Sequence, residues 1–133
     1  MFKKILIANR GEIACRIIKT ARKLGIKTVA ICSDPDISSP HVNLADEYFN
    51  IGGNTSAESY LIIEKIIDVL KKSNADAVHP GYGFLSENVN FREEVQKAGK
   101  IFIGPPSQAI SLMGDKIESK KLAKSAGVSV VPG

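Results

Sequence analysis

Residues 76–88, Asp76-Ala77-Val78-His79-Pro80-Gly81-Tyr82-Gly83-Phe84-Leu85-Ser86-Glu87-Asn88, decide the fold. Ala77-Val78 is a short apolar run that reads as a buried strand. Pro80-Gly81 ends it: proline fixes φ and glycine admits positive φ, so the chain turns sharply before Tyr82-Gly83. Two glycines around an aromatic also let a ligand come close to the main chain. Ser86, Asn88 and Asn90 then offer N-caps for a helix carrying Phe91, Val95 and Ala98. Strand, glycine loop and helix start together form the junction where open α/β sheets hold ligands, beyond the carboxyl ends of the strands. A plain βα turn that happens to need glycine is the equal alternative.

The same pattern recurs on either side. Residues 3–8 are a near-continuous apolar run, as expected of a strand covered on both faces. Asn9 and Glu12 have capping-box spacing and predict a helix from there to about Leu24. Ile13, Ile17, Ala21 and Leu24 would be its buried stripe, with Gly25 at the C′ position. Arg16, Lys19 and Lys23 lie along its other side, as a solvated face or a subunit contact. Residues 28–32 read as a second strand, closed by Ser33-Asp34-Pro35-Asp36, and residues 47–51 as a third. Thr55 and Glu58 again have capping-box spacing, before a helix bearing Ile62, Ile63, Ile66, Ile67 and Leu70, with Asn74 as its C-cap. Residues 100–103 make a fifth strand; Ser107 can cap a short helix, and Asp115 with Glu118 a last one. Five strands alternating with helices predict an α/β fold, a Rossmann-like doubly wound five-stranded parallel sheet. The first βα turn lacks G-x-G-x-x-G and the chain has no P-loop motif, which disfavours both of those nucleotide sites.

A chain of 133 residues is one ordinary domain, and 44% apolar with 24% charged residues is a soluble globular composition. No apolar run is long enough to cross a bilayer, and the N-terminus enters a strand pattern with no signal-peptide cleavage site. The net charge of +4 is mild and the lysines are dispersed, which argues against a nucleic-acid partner. His41 and His79 are the only histidines and the cysteines are unpaired, which argues against a metal site. Cys15 and Cys32 read as buried reduced thiols, the mark of a reducing cytoplasm. His79 is open to a structural or a catalytic reading. Lys116 sits in the first turn of a predicted helix, where a cation opposes the dipole. It is either an exposed lysine or, with the helix N-terminus, part of a phosphate site.

Ile7-Ala8-Asn9-Arg10-Gly11-Glu12-Ile13-Ala14, the run His79 to Asn88, and Met113-Gly114-Asp115-Lys116 together resemble the N-terminal domain of biotin carboxylase. The resemblance covers the whole chain. Gly114 to Lys121, with Ala14-Cys15-Arg16, is most similar to the biotin-carboxylase part of acyl-CoA carboxylase α subunits, the propionyl-CoA type in particular. It implies a pre-ATP-grasp domain over residues 1–113, with residues 114–133 as a linker helix and the start of an ATP-grasp domain. The implied full enzyme uses MgATP and bicarbonate to carboxylate carrier-bound biotin through carboxyphosphate, for transfer to an acyl-CoA. Lys116 matches a family lysine at the ATP phosphates. Tyr82, Gly83 and Phe84 match the loop beside the biotin ring. Arg16, Lys19 and Lys23 match the region of a homodimer interface. Implied partners are the ATP-grasp and C-terminal domains of a longer chain, a biotin carboxyl carrier domain and a carboxyltransferase subunit; the implied location is the cytoplasm, or an organelle matrix in a eukaryote. The family's metal-binding and proton-transfer residues belong to those later domains, so the isolated chain is expected to be inactive. A non-catalytic Rossmann-like module for assembly or small-ligand binding is the alternative.

Overall fold

β1 (Lys4–Ile7), β2 (Lys27–Cys32), β3 (Glu47–Asn50), β4 (Ala77–His79) and β5 (Ile101–Phe102) form one sheet in the order β3-β2-β1-β4-β5, every pair parallel. The computed structural model describes residues 2–104. The cap expected at Ser107, the helix from Asp115, the boundary at 113/114 and Lys116 lie outside the described residues.

The unalternating apolar runs are explained by the layers. Ile5, Ile7 and Ala77 face α1 (Gly11–Lys23), packing with Ala14, Ile18 and Ala21. Leu6, Ala8, Val78 and Phe102 face the opposite way, against Ile66 and Leu70 of α3 (Ile63–Lys72) and Phe91 and Val95 of α4 (Val89–Lys97). A central strand sandwiched in this way needs an apolar side chain at every position. The central register is tight: Ile5 lies level with Thr28 on one side and Ala77 on the other. At the opening end of the sheet, Asp76 Oδ2 accepts from the backbone N–H groups of Lys3 (2.8 Å) and Lys4 (3.1 Å).

Some local expectations are met and others are displaced. Asn88 caps α4, its Oδ1 accepting from Phe91 N at 2.9 Å. Asn74 follows α3 with φ of 59°, the left-handed conformation a helix stop needs. The Thr55–Glu58 capping box forms, but on a 3-10 turn over Ser56–Glu58; α3 starts only at Ile63. Between β2 and β3 lies a short helix α2 (Pro40–Leu44) that buries His41. Cys15 and Cys32 are buried free thiols.

The largest correction concerns α1. Its buried stripe is Ala14, Cys15, Ile18 and Ala21, not the expected set; of that set only Ala21 is buried, and Leu24 is 55% exposed. Small residues let the helix lie close to the sheet. The bulkier Ile13, Ile17 and Leu24 are left on its flank, lining an apolar groove with Phe2, Tyr82 and Ile103. Replacing Asn88 by Ala should cost about 1 kcal/mol of stability, since the first turn of α4 loses its side-chain acceptor. A urea midpoint lowered at unchanged slope would show it.

Candidate ligand cleft at the strand switch point

In this strand order the chain leaves β1 toward β2 on one side and leaves β4 toward β5 on the other. The two loops diverge, and the crevice between them is where such sheets bind ligands. Ile7 and His79 are register partners, so residues 9–13 and 80–84 emerge side by side. They enclose a cleft of about 380 Å³ lined by residues 9–13 and 82–84. Tyr82 is its most prominent wall, 79% exposed.

Asn9 holds the two loops together. It is not the helix cap its spacing suggests: α1 begins at Gly11, and Arg10 occupies the N-cap position without a side-chain bond. The Asn9 carboxamide is buried and turned toward β4. Its Nδ2 donates to the carbonyls of Pro80 (2.9 Å) and Tyr82 (2.8 Å), while its Oδ1 accepts from Arg10 N (2.8 Å). The loop it holds has an unusual backbone, with positive φ at Gly81 (67°), Gly83 (68°) and Phe84 (45°). A Cβ on Gly81 would fall 2.7 Å from Asn9 Nδ2, so this glycine is needed for close approach as well as for its φ. At Gly83 a Cβ would meet nothing within 4 Å, and a side chain there would project into open space beside the cleft. Phe84 pays for its left-handed conformation by stacking on Tyr60, ring centroids 5.4 Å apart and nearly parallel.

Behind the cleft lies a charged cluster. Asp36 is 6% exposed. Its Oδ2 accepts from Arg10 Nε (2.6 Å) and from the Tyr60 hydroxyl (2.6 Å), and its Oδ1 from Arg10 Nη2 (2.7 Å). The hydrogen-bonded Arg10 guanidinium holds the Asp36 carboxyl far below the usual range, overcoming the opposing effect of burial. Arg10 is pushed up in turn, chiefly by that same bond. Burial, and then the bond to Asp36, push the Tyr60 phenol up to about 12. This ion pair is a fixed brace with no titration near neutrality. His41 Nε2 donates to the Ile31 carbonyl (2.9 Å); its Nδ1 is buried without a partner among the described residues, and burial pushes its pKa down. His79 Nδ1 accepts from Gly81 N at 3.0 Å, which fixes the proton of the neutral ring on Nε2. Its pKa too is lowered by burial. The structural reading of His79 is therefore the one the geometry favours: it is an acceptor for the turn.

The remaining expected site residues divide by location. Tyr82, Gly83 and Phe84 are together at the cleft. Arg16, Lys19 and Lys23 are exposed on α1, and Arg16 borders the apolar groove that Tyr82 also lines. Among the described residues no group of three His, Cys, Asp or Glu is arranged to hold a metal. Sequence reading missed Asn9 as a bridge, read Asp36 only as part of a turn and did not single out Tyr60. The available signal for Asn9 was its position one residue past the switch-point strand.

A parallel α/β sheet with a glycine-loop cleft at its switch point defines a Rossmann-like domain. Residues 1–110 match the family described as biotin carboxylase, N-terminal domain, and the chain belongs to that family. It is 59% identical over 133 residues to the propionyl-CoA carboxylase alpha chain of Ruegeria pomeroyi, covering 100% of this chain and 20% of that one. The chain thus spans about a fifth of that relative's length. The urea carboxylase of Kluyveromyces lactis superposes with a TM-score of 0.87 at 49% identity, over 98% of this chain and 12% of that one. The 2-oxoglutarate carboxylase biotin carboxylase domain dimer of Hydrogenobacter thermophilus, in complex with MgADP, ADP and bicarbonate, gives 0.85 at 50% identity, over 100% of this chain and 29% of that one.

The two imidazoles set a pH dependence. Unfolded, a histidine binds its proton near pH 6.5; both folded rings bind it only at lower pH. Between those values the unfolded state carries more protons, so stability rises with pH there. Urea unfolding should give a smaller free energy at about pH 5 than at about pH 7, and a His41→Gln variant should show a shallower dependence.

Proposed function

We propose that the chain forms the N-terminal wall of the active site of a biotin-dependent carboxylase. The full enzyme would use MgATP and bicarbonate to carboxylate biotin on a carrier domain, for transfer to an acyl-CoA by a carboxyltransferase subunit. The observation that carries this is the Tyr82 loop, a displayed aromatic ring beside a glycine at the switch-point cleft, in a chain that matches the biotin carboxylase N-terminal family over residues 1–110.

The residues present fit a biotin ring. Its bicyclic body is mostly apolar, with one polar urea edge. The Tyr82 ring and the Ile13 side chain offer apolar walls, while the exposed main chain at Gly83 offers room for close approach. Bound there, biotin would supply the nitrogen that accepts the carboxyl group. The chain's own part is to hold the ring and exclude water on this side. Lys116 would meet the ATP phosphates through a charge-assisted contact. The bicarbonate, the magnesium ion and the proton-transferring groups would be held by the ATP-grasp and C-terminal domains. The MgADP and bicarbonate in the Hydrogenobacter domain support that set of ligands.

The flank of α1 supports a homodimer reading. Ile13, Ile17 and Leu24 leave an apolar strip beside Arg16, Lys19 and Lys23, a pattern suited to a subunit contact. No helix among the described residues is long and apolar enough to cross a membrane, and the cytoplasm or an organelle matrix suits the free thiols.

Two measurements on the full carboxylase test the reading. Gly83→Val should raise the KM for free biotin by about tenfold or more, because valine does not readily adopt the φ of 68° held here and the loop must shift; unchanged biotin kinetics would remove the loop from the site. Lys116→Gln should raise the KM for ATP by about tenfold and leave that for biotin nearly alone, because the lost charge faces phosphate.

A further inference from the structure

The cleft's shape depends on a residue that need not touch the ligand. Resting on the reading of the Tyr82 loop given above, we propose that Asn9 is a positioning residue: it sets the orientation of the Tyr82–Gly83 peptide and thereby aims the Gly83 N–H at the bound ring.

Three features of the geometry carry this. First, a trans peptide is planar, so its C=O and N–H point in opposite directions. Asn9 Nδ2 draws the Tyr82 carbonyl inward at 2.8 Å. The N–H of the same peptide, that of Gly83, must then point away from Asn9. Among the described residues that N–H has no acceptor, and Gly83 is an exposed cleft residue. A main-chain donor on an exposed glycine suits the carbonyl of a urea edge.

Second, the Pro80–Gly81 peptide, two before it in the chain, is held at both ends. The Pro80 carbonyl accepts from the other Nδ2 hydrogen at 2.9 Å, and the Gly81 N–H donates to His79 Nδ1 at 3.0 Å. Gly81, whose added Cβ would strike Asn9 Nδ2 at 2.7 Å, lies between the two carbonyls that one carboxamide holds. Third, the loop has little else to hold it. Glycines with positive φ at residues 81 and 83 can flip their adjoining peptides at low steric cost. Among the described residues the other restraint within residues 80–83 is the local bond from Ser86 N to the Gly83 carbonyl at 2.9 Å. Without Asn9 the Tyr82–Gly83 peptide would be free to rotate, and the aimed donor would be lost.

Asn9→Asp is the informative change. It keeps the size and the acceptor toward Arg10 N, but places a carboxylate oxygen against two carbonyls. In the full carboxylase, kcat/KM for free biotin should fall by about tenfold to a hundredfold, as expected when a reacting group is misplaced by about an ångström. The KM for ATP should change less than about twofold, since a general loss of structure would disturb both substrates. Asn9→Ser, too short to reach both carbonyls but leaving room for water, carries the same expectation should the aspartate variant not fold. Gly83→Val measured alongside separates the two levels of inference. If Gly83→Val impairs biotin and neither Asn9 variant does, or if the Asn9 variants weaken ATP equally, the positioning role is overturned while the loop assignment stands. If none of the variants affects biotin, the loop assignment falls, and this proposal with it.

Discussion

A buried carboxylate must be paired, and the pairing of Asp36 organises the carboxyl end of this sheet. The residue follows β2. Its two oxygens take a bidentate guanidinium from Arg10, just past β1, and a hydroxyl from Tyr60, in the connection from β3 to α3. Three loops are thereby tied to one charge. From there two routes reach the fourth loop. Arg10 is the neighbour of Asn9, whose carboxamide takes the Pro80 and Tyr82 carbonyls. Tyr60 stacks on Phe84 at the loop's other end. Asp36, Arg10 and Tyr60 are bonded to one another. They form the frame that holds a glycine-rich loop in a conformation it would not keep alone.

The sheet itself was readable from runs of residues. Ile5, Leu6 and Ile7 in succession indicate a strand buried on both faces, and the structure divides them between the two cores. Local polar signals also worked where the partner lies within a turn, as with Asn88 and Phe91 or Thr55 and Glu58. Asn9 shows the limit. An asparagine three residues before a glutamate has the same spacing whether it caps its own helix or reaches to another strand. The competing partners, Pro80 and Tyr82, are more than seventy positions away. No local rule weighs that alternative. The pairing of Asp36 with Arg10 and Tyr60 was missed for the same reason.

The rotation of α1 has a different origin. Periodicity establishes that an apolar stripe exists, but this helix has two adjacent ones. Ala14, Cys15, Ile18 and Ala21 are small enough on average to bring the helix axis close to the sheet, and they win the interior. Ile13, Ile17 and Leu24 have more apolar area yet remain on the flank. Counting hydrophobic area alone picks the wrong stripe; closeness of approach decides, because interiors are packed to crystal-like density.

The cleft is also a product of chain order. β1 and β4 are neighbours in space, yet the whole of β2, β3 and three helices are threaded between them. Closing so long a loop delays the contact in time more than it weakens it in equilibrium, since closure entropy grows only logarithmically with length while folding slows with sequence separation. During synthesis the first half of the cleft therefore emerges, and waits, without the second. A ribosome-bound chain that has not yet presented residues 77–84 has an unpaired hydrophobic strand edge at β1, so the cleft's two walls come together in one step, with the docking of a three-residue strand.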